Sequence, residues 1–227
     1  MSKSEFGVDT VFQIGPVAIT NTVVTSWVIM ALLTVFALLI KSRLRAEPDR
    51  LQTIVEGIVG VIEKAVLDVA PEHGRQIMPL IGTLWIFLVI ANLSSLIPGV
   101  HAPTSNLSAT AALAILVFLS VHWFSIRIQG WKKYLHHYLT PSPILLPFHV
   151  VSEITRTFAL AVRLFGNMMS LEMAALLVLI VAGFLAPIPL LMLHIIEALV
   201  QAYIFGMLAL IYVAGGLQSQ QIKQQNA

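Results

Sequence analysis

PFHVVSEITRTFALAVRLFGNMMSLEMAALLVLIVAGF, residues Pro147–Phe184, is a nearly continuous apolar run with an arginine close to its centre. As one helix it would be about 57 Å long, against a hydrocarbon layer of about 30 Å. Such a helix must tilt steeply, bend or run partly across the membrane. Gly183, Pro187 and Pro189 divide it from a second long run, Ile188–Val213, with no polar loop between. Two long helices joined by a turn present a broad wall rather than two narrow posts. Arg163 makes that wall costly, since a mid-bilayer arginine costs from about 2.5–3.5 kcal/mol on insertion scales to about 10–17 kcal/mol in simulations. Between Arg156 and Lys223 only Arg163, Glu172 and Glu197 carry a formal charge, with His194 as the one further imidazole. So few charges in so much apolar sequence point to an ion pathway or to a charged partner at membrane depth.

The rest of the chain reads as membrane protein. Of 227 residues, 58% are hydrophobic and 11% are charged, against about 25% charged in soluble domains. A soluble helical protein would alternate its apolar runs with charged faces, yet Trp27–Ile40 and Leu107–Ile126 have no formal charge. Cysteine is absent, which excludes disulfides, thiolate ligands and a cysteine nucleophile.

Residues 23–40 form the first expected crossing, ended by Lys41, Arg43 and Arg45. Residues 51–70 differ: Ile54, Ile58, Val61, Ile62 and Val66 mark an apolar stripe opposite Gln52, Glu56 and Glu63. That pattern predicts an amphipathic surface helix, with a sixth crossing as the alternative. Residues 79–126 predict a helical hairpin, broken at Pro98-Gly99 by a short loop, and residues 147–213 the long tilted hairpin. The fold class is therefore an all-α polytopic membrane protein: five crossing helices plus one amphipathic surface helix, in a single domain over 1–227. Lys41, Arg43, Arg45 and Arg50, and then Arg127, Lys132 and Lys133, place those loops in the cytoplasm. The segment 1–22 is expected to stay uncleaved and extracytoplasmic, since it lacks a signal-peptide pattern. The C-terminus is then cytoplasmic.

At 100° per residue, Arg156, Arg163 and Asn167 share a helix face within about 40°. Glu172 lies about 180° round and about 13.5 Å along from Arg163, too far for an intrahelical salt bridge. Arg163 could instead pair statically with Glu197. His194 and Gln201 fall on one line of the last helix, with Glu197 about 60° to one side. Imidazole and buried carboxylates exchange protons near neutrality, whereas arginine keeps its charge. Glu172, His194 and Glu197 thus suit a hydrated access route, and Arg163 a fixed barrier. Plainer readings are interhelical hydrogen bonding for His194, Asn167 and Gln201. Gly60, Gly82 and Gly206 read as close-packing positions, and the four tryptophans as interface anchors where they fall near segment ends. His136, His137 and His149 make a poor metal site. Neither basic loop forms a nucleic-acid patch.

Arg163-Leu-Phe-Gly-Asn-Met168 followed by Glu172, and His194 seven residues before Gln201-Ala-Tyr-Ile-Phe205, resemble the a subunit (subunit 6) of the bacterial F-type ATP synthase membrane sector. The resemblance reaches back through Leu51–Pro98. It implies a non-catalytic, ion-translocating stator in the bacterial inner (plasma) membrane, without a cofactor. Its partners would be the c-subunit ring, the b-subunit peripheral stalk, the F1 sector indirectly, and membrane lipid. It further implies two cation half-channels, separated by Arg163 and lined or supported by Asn167, Glu172, His194 and Gln201. Protons are the default cation. Glu197, which the family signature does not require, and the His- and Pro-rich tract Tyr134–Pro147 also resemble a sodium-translocating form. A stand-alone secondary transporter would call for internal repeats or broken helices, and no repeat is evident. A non-conducting scaffold is the third reading.

Overall fold

The computed structural model describes residues 10–14, 17–44, 49–97, 100, 102–131, 146–182 and 187–218. His101, His136, His137, most of the tract Tyr134–Pro147 and the C-terminal Lys223 lie outside the described residues. Among the described residues six α-helices carry the fold: α1 (Asn21–Arg43), α2 (Arg50–Val69), α3 (Gly74–Leu93), α4 (Leu107–Gln129), α5 (Leu146–Ala182) and α6 (Pro187–Gln218). All but α2 contain a span long and apolar enough to cross a membrane: Asn21–Arg43, Gly74–Leu96, Leu107–Ile128, Pro147–Ile180 and Leu191–Gly216. The chain is thus an all-α polytopic membrane protein. An antiparallel strand pair, β1 (Thr10–Ile14) with β2 (Val17–Thr20), precedes α1.

Local chemistry fixes several of these boundaries. Asn106 caps α4 through its side chain, which accepts from Ser108 N at 2.9 Å, and Gly130 ends α4 at φ 82°. A positive φ there favours glycine, because a Cβ would crowd the backbone. The second crossing begins at Gly74 rather than Pro79, and Pro79 lies within α3. Its missing N–H removes one bond from a helix that packing on α2 and α6 holds.

α6 is the centre of the fold. It packs along α3, α4 and α5, while α3 and α4 themselves scarcely touch, so the expected α3–α4 hairpin is opened around α6. The stripe Ala198, Ala202, Phe205, Ala209, Leu210, Val213 and Ala214 is buried against Ile77, Ile81, Leu84, Trp85 and Leu88 of α3 and Leu160, Leu164 and Met168 of α5. Small residues let the backbones approach, which is how helices associate where lipid removes the hydrophobic drive between them. At Gly206 an added Cβ would collide with the Trp85 indole. Gly60, by contrast, faces open space, and Gly82 has only an ordinary contact with Ile62, at 3.6 Å. The close-packing reading therefore fits Gly206 and fails for Gly60.

The outer helices are exposed in the way lipid-facing helices are. α1 buries only Thr22 and Ile29, and Leu32, Phe36 and Leu39 point outward. α2 divides along its length: Leu51, Ile54, Ile58 and Val61 are exposed, whereas Val66 is fully buried and Ala65 and Val69 pack on the core. Trp27, Trp123 and Trp131 are exposed, but Trp85 is buried within α3 and does not anchor at an interface.

Candidate functional site

α5 presents its packed face through Leu160, Ala161, Leu164, Met168 and Leu171. Arg163 and Glu172 lie on opposite flanks of that face, roughly 110° and 70° from its centre. Arg163 is exposed in the single chain, inside an apolar span, and among the described residues no carboxylate pairs with it. The static pairing with Glu197 is therefore absent. Its neighbours on the same face both turn to α6. Asn167 Nδ2 donates to Gln201 Oε1 at 2.6 Å, and the Arg156 guanidinium sits 5.7 Å from the centroid of the Tyr212 ring. Arg163 thus stands at the lip of the α5–α6 seam, between two cross-links and bound to neither.

A second polar line runs between α3 and α6. The Ser95 hydroxyl lies 2.6 Å from His194 Nε2 and 2.8 Å from the carbonyl of Asn92. One hydroxyl proton cannot serve both acceptors. When it goes to the carbonyl, Ser95 Oγ accepts from His194 Nε2–H; when it goes to Nε2, the carbonyl is released. His194 is 5% exposed and so depends on this contact. One turn further along α6, Asn92 Nδ2 donates to the backbone carbonyl of Ala198 at 3.0 Å. Asn92 Oδ1, an acceptor, and Gln201 Nε2, a donor, are buried without a protein partner among the described residues. Orphan atoms of this kind are where water enters a protein interior. The polar series Ser95, His194, Asn92, Gln201 and Asn167 leads from the end of α3 to the turn of α5 that follows Arg163. Glu197 is half-buried beside it, and Glu172 is half-buried on the far flank of α5.

The structure therefore joins Asn167 to Gln201, gives His194 a partner in Ser95, and leaves Arg163 apart from Glu172 and Glu197. The sequence reading gave no role to Asn92 or Ser95. Their signal was present as polar residues at the end of an apolar crossing. A further cross-helix contact that periodicity on one helix could not suggest is His122 Nε2 to Glu153 Oε2, 3.3 Å, between α4 and α5.

The fold is that of a polytopic membrane protein, with an exposed arginine in an apolar span backed by buried amides and an imidazole. Residues 23–214 match the family model described as ATP synthase A chain. The chain is 63% identical to ATP synthase subunit a 2 of Pelobacter propionicus, over 94% of this chain and 93% of that one. It is 62% identical to subunit a 1 of Hahella chejuensis, over 91% and 88%, and 53% identical to subunit a of Legionella pneumophila strain Philadelphia 1, over 99% and 98%. The chain belongs to the ATP synthase A-chain family, and with it to the ATP synthase complex, as a multi-pass membrane stator subunit.

Proposed function

We propose that this subunit supplies two cation half-channels separated by Arg163, which faces the carboxylates of a c-subunit ring and couples ion flow to rotation. The observation that carries this reading is the exposed guanidinium in an apolar span, which no carboxylate among the described residues pairs with. A permanent charge needs a counter-charge at that depth, and a mobile ring carboxylate supplies one transiently. Near Arg163 the carboxylate is stabilised as an anion and gives up its cation; facing lipid it must be neutral. Ser95, His194, Asn92, Gln201 and Asn167 lead cations to one side of Arg163, with Glu172 and Glu197 as further carboxylates. The b-subunit stalk holds the subunit against rotation and links it to F1. The N-terminus is extracytoplasmic and the C-terminus cytoplasmic, from the basic residues after α1 and α4.

Protons are the cargo we favour, because His194 sits in the line and imidazole nitrogens exchange protons near neutral pH. The half-buried Glu197, one turn from His194, favours sodium as the second reading. Arg163→Ala in the assembled, reconstituted complex tests the main proposal: coupled ATP synthesis should be lost and the membrane should leak. Unchanged coupled synthesis would overturn it. Tracer sodium uptake driven by ATP, with a protonophore present, separates the two cargoes.

A further inference from the structure

We propose that His122 and Glu153 form a proton-holding station on the cytoplasmic side of Arg163, receiving protons that the ring releases and passing them to water. This rests on the ion path and orientation proposed above. The geometry limits the pair to a small set of states. His122 Nδ1 lies 2.9 Å from the carbonyl of Phe118, which can only accept, so Nδ1 carries a hydrogen. Nε2 is then the titrating atom, and it faces Glu153 Oε2 at 3.3 Å. A bare Nε2 and an ionised carboxylate would set two lone pairs against each other. One proton between them removes that conflict, either as imidazolium with carboxylate or as neutral imidazole with carboxylic acid.

The station therefore rests with one proton. A proton arriving on the carboxylate of the imidazolium form gives imidazolium with carboxylic acid, and loss of either proton to water restores the resting state. No other reactant is needed. The two side chains are 26% and 28% exposed, which lets water reach a pair otherwise packed between α4 and α5.

Position also fits the role. Glu153 precedes Arg163 by about 15 Å along α5, on the side opposite Glu172, which follows it by about 13.5 Å. His122 lies about 7.5 Å along α4 before Arg127, and the basic residues after α4 mark the cytoplasmic end. Among the described residues, charged or titratable groups on the same part of the surrounding elements include Arg127 of α4, His149 and Arg156 of α5, and Tyr212 of α6, over which Arg156 is held. Arg127 and Arg156 do not exchange protons, whereas His122 and Glu153 can and meet across α4 and α5.

A clamp between α4 and α5 would use the same contact, so the test must separate clamp from station. Glu153→Gln does this, because a glutamine amide can bond either tautomer of His122 but cannot store a proton. In inverted vesicles carrying the whole complex, the medium sets cytoplasmic-side pH and ATP-driven acidification reports transport. Glu153→Gln should pump several-fold more slowly and lose the wild-type dependence on medium pH, while Glu153→Asp keeps that dependence. A Glu153→Gln complex with the wild-type rate and pH profile overturns the proposal. If Glu153→Gln fails to assemble, His122→Gln decides, since a wild-type pH profile in that variant overturns the proposal equally. Arg163→Ala measured in parallel separates the two readings: its loss of coupling beside a neutral Glu153→Gln would remove the station and leave the half-channels standing.

Discussion

Asn167 Nδ2 donates to Gln201 Oε1 at 2.6 Å, four residues beyond Arg163, and this amide bridge fixes the turn of α5 that carries the arginine against α6. Gln201 is 1% exposed and its own amide nitrogen has no protein partner among the described residues. The bridge therefore does two things. It sets the axial register of Arg163, and it keeps a hydrogen-bond donor in the seam where a cation path would pass.

Asn167→Ala should break the register without removing the charge. Leaving a buried amide oxygen unpaired costs about 1–3 kcal/mol in water-soluble proteins, but interhelical bonds in membranes average about 0.6 kcal/mol. The smaller figure applies, because the seam admits alternative partners. The expected result is a modest fall in complex stability with a larger fall in ATP-driven pumping. A double-mutant cycle with Gln201→Ala should give coupling near the membrane value, and strictly additive effects would show that the bridge does not form in the assembled enzyme.

Ser95→Ala removes the partner of His194 Nε2 from an imidazole that is 5% exposed. Pumping should slow, and Ser95→Thr, which restores a hydroxyl, should recover it. Comparing the two variants separates a relay function from simple packing. Equal slowing in both would mean that the methyl, not the hydroxyl, sets the outcome.

How much of this was legible depends on whether the deciding interaction lies within one helix. Arg156, Arg163 and Asn167 could be placed on one face of α5 from a 100° step alone, and the structure shows Arg156 and Asn167 both turned to α6. The crossings were legible for the same reason, as lipid demands long uncharged runs. Contacts across helices were not. Ser95 and His194 are 99 residues apart in sequence, and Trp85 reaches the carbonyl of Tyr203 across 118. Nothing on α3 alone reveals that Trp85 is buried rather than interfacial. Gly60 and Gly206 look alike in sequence, and only the indole beside Gly206 distinguishes them. β1 and β2 escaped notice because eleven residues of alternating, mostly apolar sequence also suit an extended leader to a crossing.

Gly206→Ala tests the tightest packing in the core. Trp85 stacks on Tyr203 with ring planes 1° apart and centroids at 6.0 Å, and its indole nitrogen donates to Tyr203 O at 3.3 Å. Both contacts tie the indole to Tyr203, and a methyl at Gly206 would collide with it. Overpacking a close-packed core costs about 1–3 kcal/mol, so a lower unfolding temperature and reduced retention of the subunit are expected. Trp85→Leu in the same chain should recover part of the loss, and a Gly206→Ala complex as stable as wild type would contradict the close approach.

Arg156 and Arg163 share a face about 10.5 Å apart, and a substitution at each separates a positioned charge from a barrier. Arg156 lies over the Tyr212 ring, a contact that orients the guanidinium and ties the first half of α5 to the last third of α6. Among the described residues Arg163 has no such anchor, which under the proposed function leaves its guanidinium to a carboxylate of another subunit. Arg156→Gln should therefore weaken the α5–α6 seam and slow turnover while the membrane stays tight. Arg163→Gln should raise passive proton permeability in vesicles stripped of F1. Measured together, equal leaks from the two variants would show that general positive potential along the face, rather than one guanidinium at the lip of the seam, keeps the two proposed access routes apart.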